Sequence, residues 1–370
     1  MVLMNESLLG RLFATIMNWD AETVSQERPN LELLAKHKYN FYQNFFPGMR
    51  FIESLAYWLD QFETLEERNC AYEFIKKRLI YISNDELEHF VSIAYQDHIN
   101  RILIKLTAEE IDIPIWEIRR IINSKEYELM RRQTIFLGLS DGAHMDLFRR
   151  SNPVLSHEQI LRSHEISEDR AQDMLKELEK SITIILSKKP SSNEVKFRNV
   201  FLLDDFSASG LSYLRIENGE YKGKIANFFN NACDYNGKIY DMFDHSKLYI
   251  GLMLYISTEK AIKKLRMKCK KMFKDVNFSI NAVYILSDSI KINEEDNKDI
   301  IKIMEKYYDS SIETKSYHVG KMEKPWFGFD ECCLPLILNH NTPNNSVPIL
   351  WFDQNCKYRG LFPRVSRHGS

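Results

Sequence analysis

Glycine and proline are scarce, 13 and 10 in 370 residues, about half of the usual combined share of roughly 12%. Long low-complexity or disordered tracts are disfavoured on that ground, and the length suits two domains or one large domain with an appendage. The six cysteines, Cys70, Cys233, Cys269, Cys332, Cys333 and Cys356, form no C-x-x-C pair and no zinc spacing with histidine. The adjacent Cys332 and Cys333 therefore read as a buried apolar element. A net charge of −2 with 28% charged residues leaves no global attraction for nucleic acid or anionic membrane. No apolar run approaches the ~20 residues of a membrane span, and residues 1–6 lack the basic region of a signal peptide. The expectation is a reduced, soluble, cytoplasmic protein with no membrane partner. Neither G-x-G-x-x-G nor a P-loop lysine motif stands beside a strand, which removes most of the weight from dinucleotide-binding and P-loop readings.

What is present divides near residue 125. Residues 1–125 read as an α-helical region, with apolar positions at helical spacing in Phe51, Leu55, Trp58, Leu59 and Phe62 and again in Leu87, Phe90, Val91, Ala94 and Tyr95. The aromatics Tyr39, Phe41, Tyr42, Phe45 and Phe46 beside Lys36, His37 and Lys38 could stack on nucleic acid, but a core cluster with a basic edge is the simpler reading. Residues 126–370 alternate strand and helix, so the predicted fold is α/β, a mostly parallel sheet with helices on both faces. Strands are expected at 134–139, 248–256, 281–286 and 334–338, and helices at 168–185, 258–273 and 299–308. An inserted hairpin follows near 218–224. The basic face of the 258–273 helix, Lys260 to Lys271, is a candidate contact for a phosphate backbone.

The central stretch runs Val200-Phe201-Leu202-Leu203-Asp204-Asp205-Phe206-Ser207-Ala208-Ser209-Gly210-Leu211-Ser212. Four apolar residues ending abruptly in two acids and a hydroxyl-rich turn predict a buried strand, a loop and a helix starting near Ser209. Loops at the carboxyl ends of parallel strands line the crevice where open α/β sheets bind ligands. Asp204 and Asp205 are suited there to a pair of hydroxyls or to magnesium. The turn would surround a phosphate with backbone amides and hydroxyls. A second strand-to-loop junction, Ser140-Asp141-Gly142, leads to Arg149 and Arg150. A third polar stretch, 339–346, lies between apolar runs and contains His340, Asn341, Asn344 and Asn345. A turn needs about two of those side chains, so several are expected to face a ligand.

The 200–212 pattern resembles the ribose-phosphate signature of type I phosphoribosyltransferases at every position. The resemblance implies that Asp204 and Asp205 hold ribose hydroxyls, with possible magnesium, and that Ser207, Ala208, Ser209, Gly210, Leu211 and Ser212 surround the 5′-phosphate of phosphoribosyl pyrophosphate or a nucleotide. It implies a diphosphate-binding role for Ser140, Asp141 and Gly142, with Arg149 and Arg150 adding positive charge. Asp141 departs from that pattern, placing negative charge where a basic or small residue is common. His340 stands as the candidate proton donor, and Asn341, Asn344 and Asn345 as base contacts. Together with the tail Leu361-Phe362-Pro363-Arg364 and Arg367-His368, these stretches look like phosphoribosyltransferase-like domains of bacterial anti-phage conflict systems, including those encoded beside retron reverse transcriptases. The implied function is a toxin effector acting on a nucleotide or RNA glycosidic bond, held by defence-system protein partners. The alternative is a non-catalytic module that binds a nucleotide or RNA in such a complex. A third reading, a receiver-like phosphoacceptor pair, leaves the Ser209-Gly210 turn unexplained.

Overall fold

A computed structural model of the chain describes residues 6–45, 47–273, 276–313, 319, 321–353 and 355–365. Phe46, Arg367 and His368, named above, lie outside them. In chain order the first elements are α1 (Glu6–Met17), α2 (Ala21–His37), α3 (Phe51–Asp60), α4 (Leu65–Arg78), β1 (Ile80–Ile82), α5 (Asn84–Ile93), α6 (Asn100–Glu110), α7 (Ile118–Ile122) and α8 (Lys125–Arg132). Next come β2 (Thr134–Gly138), α9 (Met145–Ser151), β3 (Ile160–Leu161), α10 (Glu168–Leu186), β4 (Asn199–Ser207), β5 (Arg215–Glu217), β6 (Glu220–Lys222) and α11 (Lys224–Ala232). The chain closes with β7 (Tyr249–Thr258), α12 (Glu259–Met272), β8 (Asn277–Leu286), α13 (Lys298–Lys306) and β9 (Leu336–Leu338).

These elements form two compact units, one of residues Met1–Glu86 with Ser289–Ser370 and one of Leu87–Asp288. The division differs from the expected boundary at 125/126, and the reason is where the last 80 or so residues find their partners. The strand expected at 334–338 is β9, which pairs in parallel with β1, register Ile80 to Leu336, and not with the large sheet. Phe362 packs its ring among Tyr39, Tyr42, Phe45, Phe51 and Tyr81. The aromatic cluster near residue 40 is therefore core in its described members Tyr39, Tyr42 and Phe45, with Phe41 exposed. Helix α13 lays Ile300, Ile303 and Met304 into the same core. Its Lys306 reaches Glu63 and Glu67, at 2.9 and 2.7 Å, and Glu67 also closes a capping box with Thr64 at the start of α4.

The second unit is built on a five-stranded sheet of order β3-β2-β4-β7-β8, every pair parallel. Strand β4 is central, and β7 is buried along all ten residues, as continuous apolar runs in a two-sided sheet require. Ile135, Leu137, Val200 and Leu202 share a core with Met174, Leu178 and Ile182 of α10, Ile225 and Phe228 of α11 and Ile262 and Leu265 of α12. The alternate residues Phe136 and Phe201 stack on each other, with Phe148 of α9 and Tyr95 against Phe136. Side chains alternate across a strand, so both faces of the sheet are covered. The expected α/β fold with a helical N-terminal region is thus the one found. Glu110 at the end of α6 bridges Arg198 and Lys247, at 2.9 and 3.1 Å, and these cations hold its carboxyl below its usual pKa against the opposing effect of burial.

Candidate functional site

The carboxyl ends of β2 and β4 lie side by side. Gly138 pairs with Leu203, and the amide of Leu139 donates to the Leu203 carbonyl at 2.9 Å, so β2 ends beside Asp204 while β4 runs on to Ser207, paired there with β7. Ser140 then donates its hydroxyl to Asp204 Oδ1. Gly142 sits against the other acid, where an added Cβ would lie 2.6 Å from Asp205 Cγ, so only glycine permits this approach. Tyr255 of β7 fixes the turn from below, its hydroxyl donating to the Ala143 carbonyl at 2.6 Å. The two expected loops, 140–142 and 204–212, are therefore brought together.

Asp204 is fully buried, and both of its oxygens are engaged. Besides Ser140, it accepts from the Asp205 amide at 3.2 Å, the Tyr213 hydroxyl at 2.8 Å and the Lys224 ammonium at 2.5 Å. Burial, with Asp204 and Asp205 nearby, pushes the Tyr213 phenol well above its usual pKa and does the same to Tyr255, so both remain hydrogen-bond donors. Asp205 is half-buried and accepts from the Phe206 amide at 2.8 Å.

The loop beyond the acids departs from expectation. No helix begins near Ser209. Instead Gly210, at φ +75°, starts a single turn whose carbonyl accepts from Tyr213 and Leu214, and the β5–β6 hairpin intervenes before α11. A Cβ on Gly210 would meet Leu265 at 2.9 Å, so the loop is pressed onto α12. Ser257 and Thr258 at the end of β7 hold the Ser207 and Ala208 carbonyls, at 3.1 and 2.6 Å. Ser207 is buried with its hydroxyl unpartnered among the described residues. Ser209 is buried, and its Oγ accepts from the Leu211 amide at 3.3 Å, whereas Ser212 is exposed. The amides of Ser209, Gly210 and Ser212 donate to no other described residue. That is the property an anion-binding loop needs.

A family model, PRTase-CE, matches residues 55–364. The chain belongs to the PRTase-CE family. It carries a phosphoribosyltransferase-like domain, and the PRTase-CE match starts inside α3, so it takes in much of the helical N-terminal region and nearly the whole C-terminal segment. A search of curated proteins and one of solved structures each returned no match. No helix among the described residues is long and apolar enough to cross a membrane.

The remaining expected residues are placed less favourably. Arg149 and Arg150 sit in the last turn of α9, where Arg149 pairs with Asp146 at 3.3 Å and Arg150 is exposed. Asp141 is exposed. His340, Asn341, Asn344 and Asn345 belong to the other compact unit. There the polar stretch is spent on folding. Asn341 exchanges bonds with the Val365 backbone, Asn345 donates to the Phe329 carbonyl at 3.0 Å, and Ser346 donates to the Leu336 carbonyl at 2.6 Å. The Asn344 carbonyl accepts from Phe329, and the His340 carbonyl accepts from the Asn44 side chain. The side chains of Asn341, Asn345 and Ser346 thus have structural partners. On α12, Arg266 and Lys268 donate to the carbonyls of Ile280 and Leu214, so part of its basic face is likewise engaged.

Sequence reasoning does not single out Tyr213; it reads Lys224, in the inserted hairpin, as either solvated or a ligand contact, and His164 as a surface residue in preference to a catalytic one. Tyr213 directly follows the motif, but nothing marks it out from core tyrosines. His164 follows β3, with the Arg162 carbonyl crowded over Gly138, and its Nδ1 is buried with no geometric hydrogen bond among the described residues. Burial lowers its pKa below the usual imidazole value, and Asp204 and Lys224 lie within electrostatic reach.

Proposed function

We propose that the second unit binds a ribose 5-phosphate group, as part of phosphoribosyl pyrophosphate or a nucleotide, at the ends of β2 and β4. The observation that carries this reading is the joining of two loops. An acidic pair lies near the carboxyl end of the central strand, a loop with open amides follows that strand, and a glycine loop from the neighbouring strand closes on Asp205. Asp205 serves as ribose-hydroxyl acceptor, the amides of Ser209, Gly210 and Ser212 take the phosphate, and the 140–142 turn faces the anomeric side. Magnesium fits this donor set only in part. Asp204 already carries an ammonium, and no group of three His, Cys, Asp or Glu ligands gathers among the described residues. The ion would be held by Asp205 together with diphosphate oxygens, the usual manner for a cation that keeps most of its waters.

Glycosidic bond making or breaking passes through an oxocarbenium-like sugar, which a site stabilises by fixing the ribose and placing negative charge nearby. Asp205 is positioned for both tasks. In a cell we place this activity in anti-phage defence, as an effector acting on a nucleotide or RNA and restrained by partner proteins. A binding module without turnover is the second reading, favoured by the full engagement of Asp204 and the exposed negative charge of Asp141. Calorimetry with phosphoribosyl pyrophosphate and nucleoside monophosphates, followed by assay for released base or diphosphate, separates the two. Asp205→Asn is expected to abolish ligand binding, and any toxicity on expression, while leaving the melting transition in place. Undiminished binding by that variant would sink the assignment.

A further inference from the structure

The ribose-phosphate motif contains no cation, yet the fold supplies one. Lys224 opens α11, and its backbone is tied to the far end of the motif. Its amide donates to the Ser212 carbonyl at 3.2 Å, and the Ile225 amide donates to Tyr213 at 3.0 Å. Its ammonium returns to the near end, reaching Asp204 Oδ2 and lying 5.1 Å from the centre of the Tyr213 ring. One side chain therefore spans the loop from last residue to first. Gly223 makes this possible. It stands at φ +115°, and a Cβ there would lie 2.6 Å from the Tyr213 carbonyl oxygen.

The charge and hydrogen-bond accounts point the same way. Asp204 receives four donors on two oxygens and is 0% exposed, so it has no lone pair directed at solvent for a ribose hydroxyl. The Lys224 side chain is 29% exposed and has three N–H donors, of which Asp204 takes one. A sugar phosphate brings roughly 1.5 to 2 negative charges near neutral pH. The amides of Ser209, Gly210 and Ser212 contribute only partial charges against it.

We infer that Lys224 is the cationic contact for the phosphate of a bound ribose 5-phosphate, and that Asp204 is the positioning residue that holds its ammonium at the loop. This deepens the pocket reading above and rests on it. The acidic pair then has divided roles, Asp205 toward the sugar and Asp204 toward the lysine.

The test is calorimetric titration of the full-length protein with ribose 5-phosphate at two salt concentrations. Lys224→Gln is expected to weaken binding about tenfold to a hundredfold, the loss of one charge-assisted contact, and to flatten the salt dependence. If the unsubstituted protein binds no ribose 5-phosphate, the pocket reading itself fails. Binding by the unsubstituted protein and by Lys224→Gln within about twofold of each other overturns the lysine assignment alone. Should the single variant not melt cooperatively, Asp204→Asn/Lys224→Gln removes both charges of the pair together and is read in the same way. In the unsubstituted protein, saturating ribose 5-phosphate is expected to slow acylation of Lys224, followed by mass spectrometry, whereas ribose is not. Equal labelling with and without the phosphate ester also overturns the assignment.

Discussion

A methyl group on Gly142 would fall within 2.6 Å of Asp205 Cγ, so Gly142→Ala must displace either the carboxylate or the loop. The residue is half-buried on a turn, where rearrangement is cheap for the fold but not for the geometry of a site. Ribose 5-phosphate affinity is expected to fall about tenfold or more, with stability changed by no more than about 1 kcal/mol, as read by calorimetry and urea unfolding. Unchanged affinity would separate the 140–142 loop from the sugar. At this scale the sequence was informative about covalent neighbours and silent about spatial ones. Asp204, Asp205 and the 207–212 turn announce themselves through an apolar run that stops at two acids. Lys224, Tyr213 and His164 reach the same place through a hairpin, a turn and a crossover, and no local pattern encodes those routes. The polar residues at 339–346 are ambiguous in sequence, because a loop that satisfies a tail and its neighbours needs as many hydrogen-bonding side chains as one that binds a ligand.

Strands β2, β4 and β7 were legible because a two-sided sheet demands unbroken apolar runs, and α10 and α12 because one apolar stripe faces the sheet. A three-residue strand such as β1 carries too few positions to show a period. The helix expected at Ser209 failed for a specific reason: Gly210 takes a left-handed conformation and turns the chain into the hairpin, deferring the helix to Lys224. The sheet also has a tight crossing in its centre. Gly251 of β7 lies beneath the Phe201 ring of β4, where a Cβ would sit 2.6 Å from the ring atoms. Gly251→Ala is expected to cost about 1–3 kcal/mol by overpacking, measured as a lower urea midpoint with an unchanged slope. An unaltered midpoint would mean that Phe201 swings aside freely.

Over the whole molecule, the helical unit is assembled from both ends of the chain. Its aromatic centre is Phe362, and the Tyr42 hydroxyl donates to the Pro363 carbonyl at 2.6 Å, Ser54 to Leu361 at 2.7 Å and Trp58 to Ile349 at 2.9 Å. Phe362→Ala is expected to destabilise this unit by about 3–5 kcal/mol and to raise amide hydrogen exchange in α3 while α10 and α12 keep their protection. Uniform loss of protection across the chain would indicate one cooperative unit instead. A boundary at 125 was the natural reading of composition, since helical periodicity stops there. The return of the C-terminal segment to the N-terminal helices is a long-range pairing that composition cannot express.

That return has a consequence for the order of events during synthesis. The residues of the α/β unit emerge as one continuous run, whereas α3 must wait for roughly 300 further residues before Leu361 and Phe362 exist to cover Phe51, Leu55 and Trp58. At translation rates of about 5–20 residues per second, the delay is on the order of tens of seconds. During that interval the nascent helices present an apolar face to whatever chaperone or protease is near, so a pause late in translation would prolong exposure at the beginning of the chain.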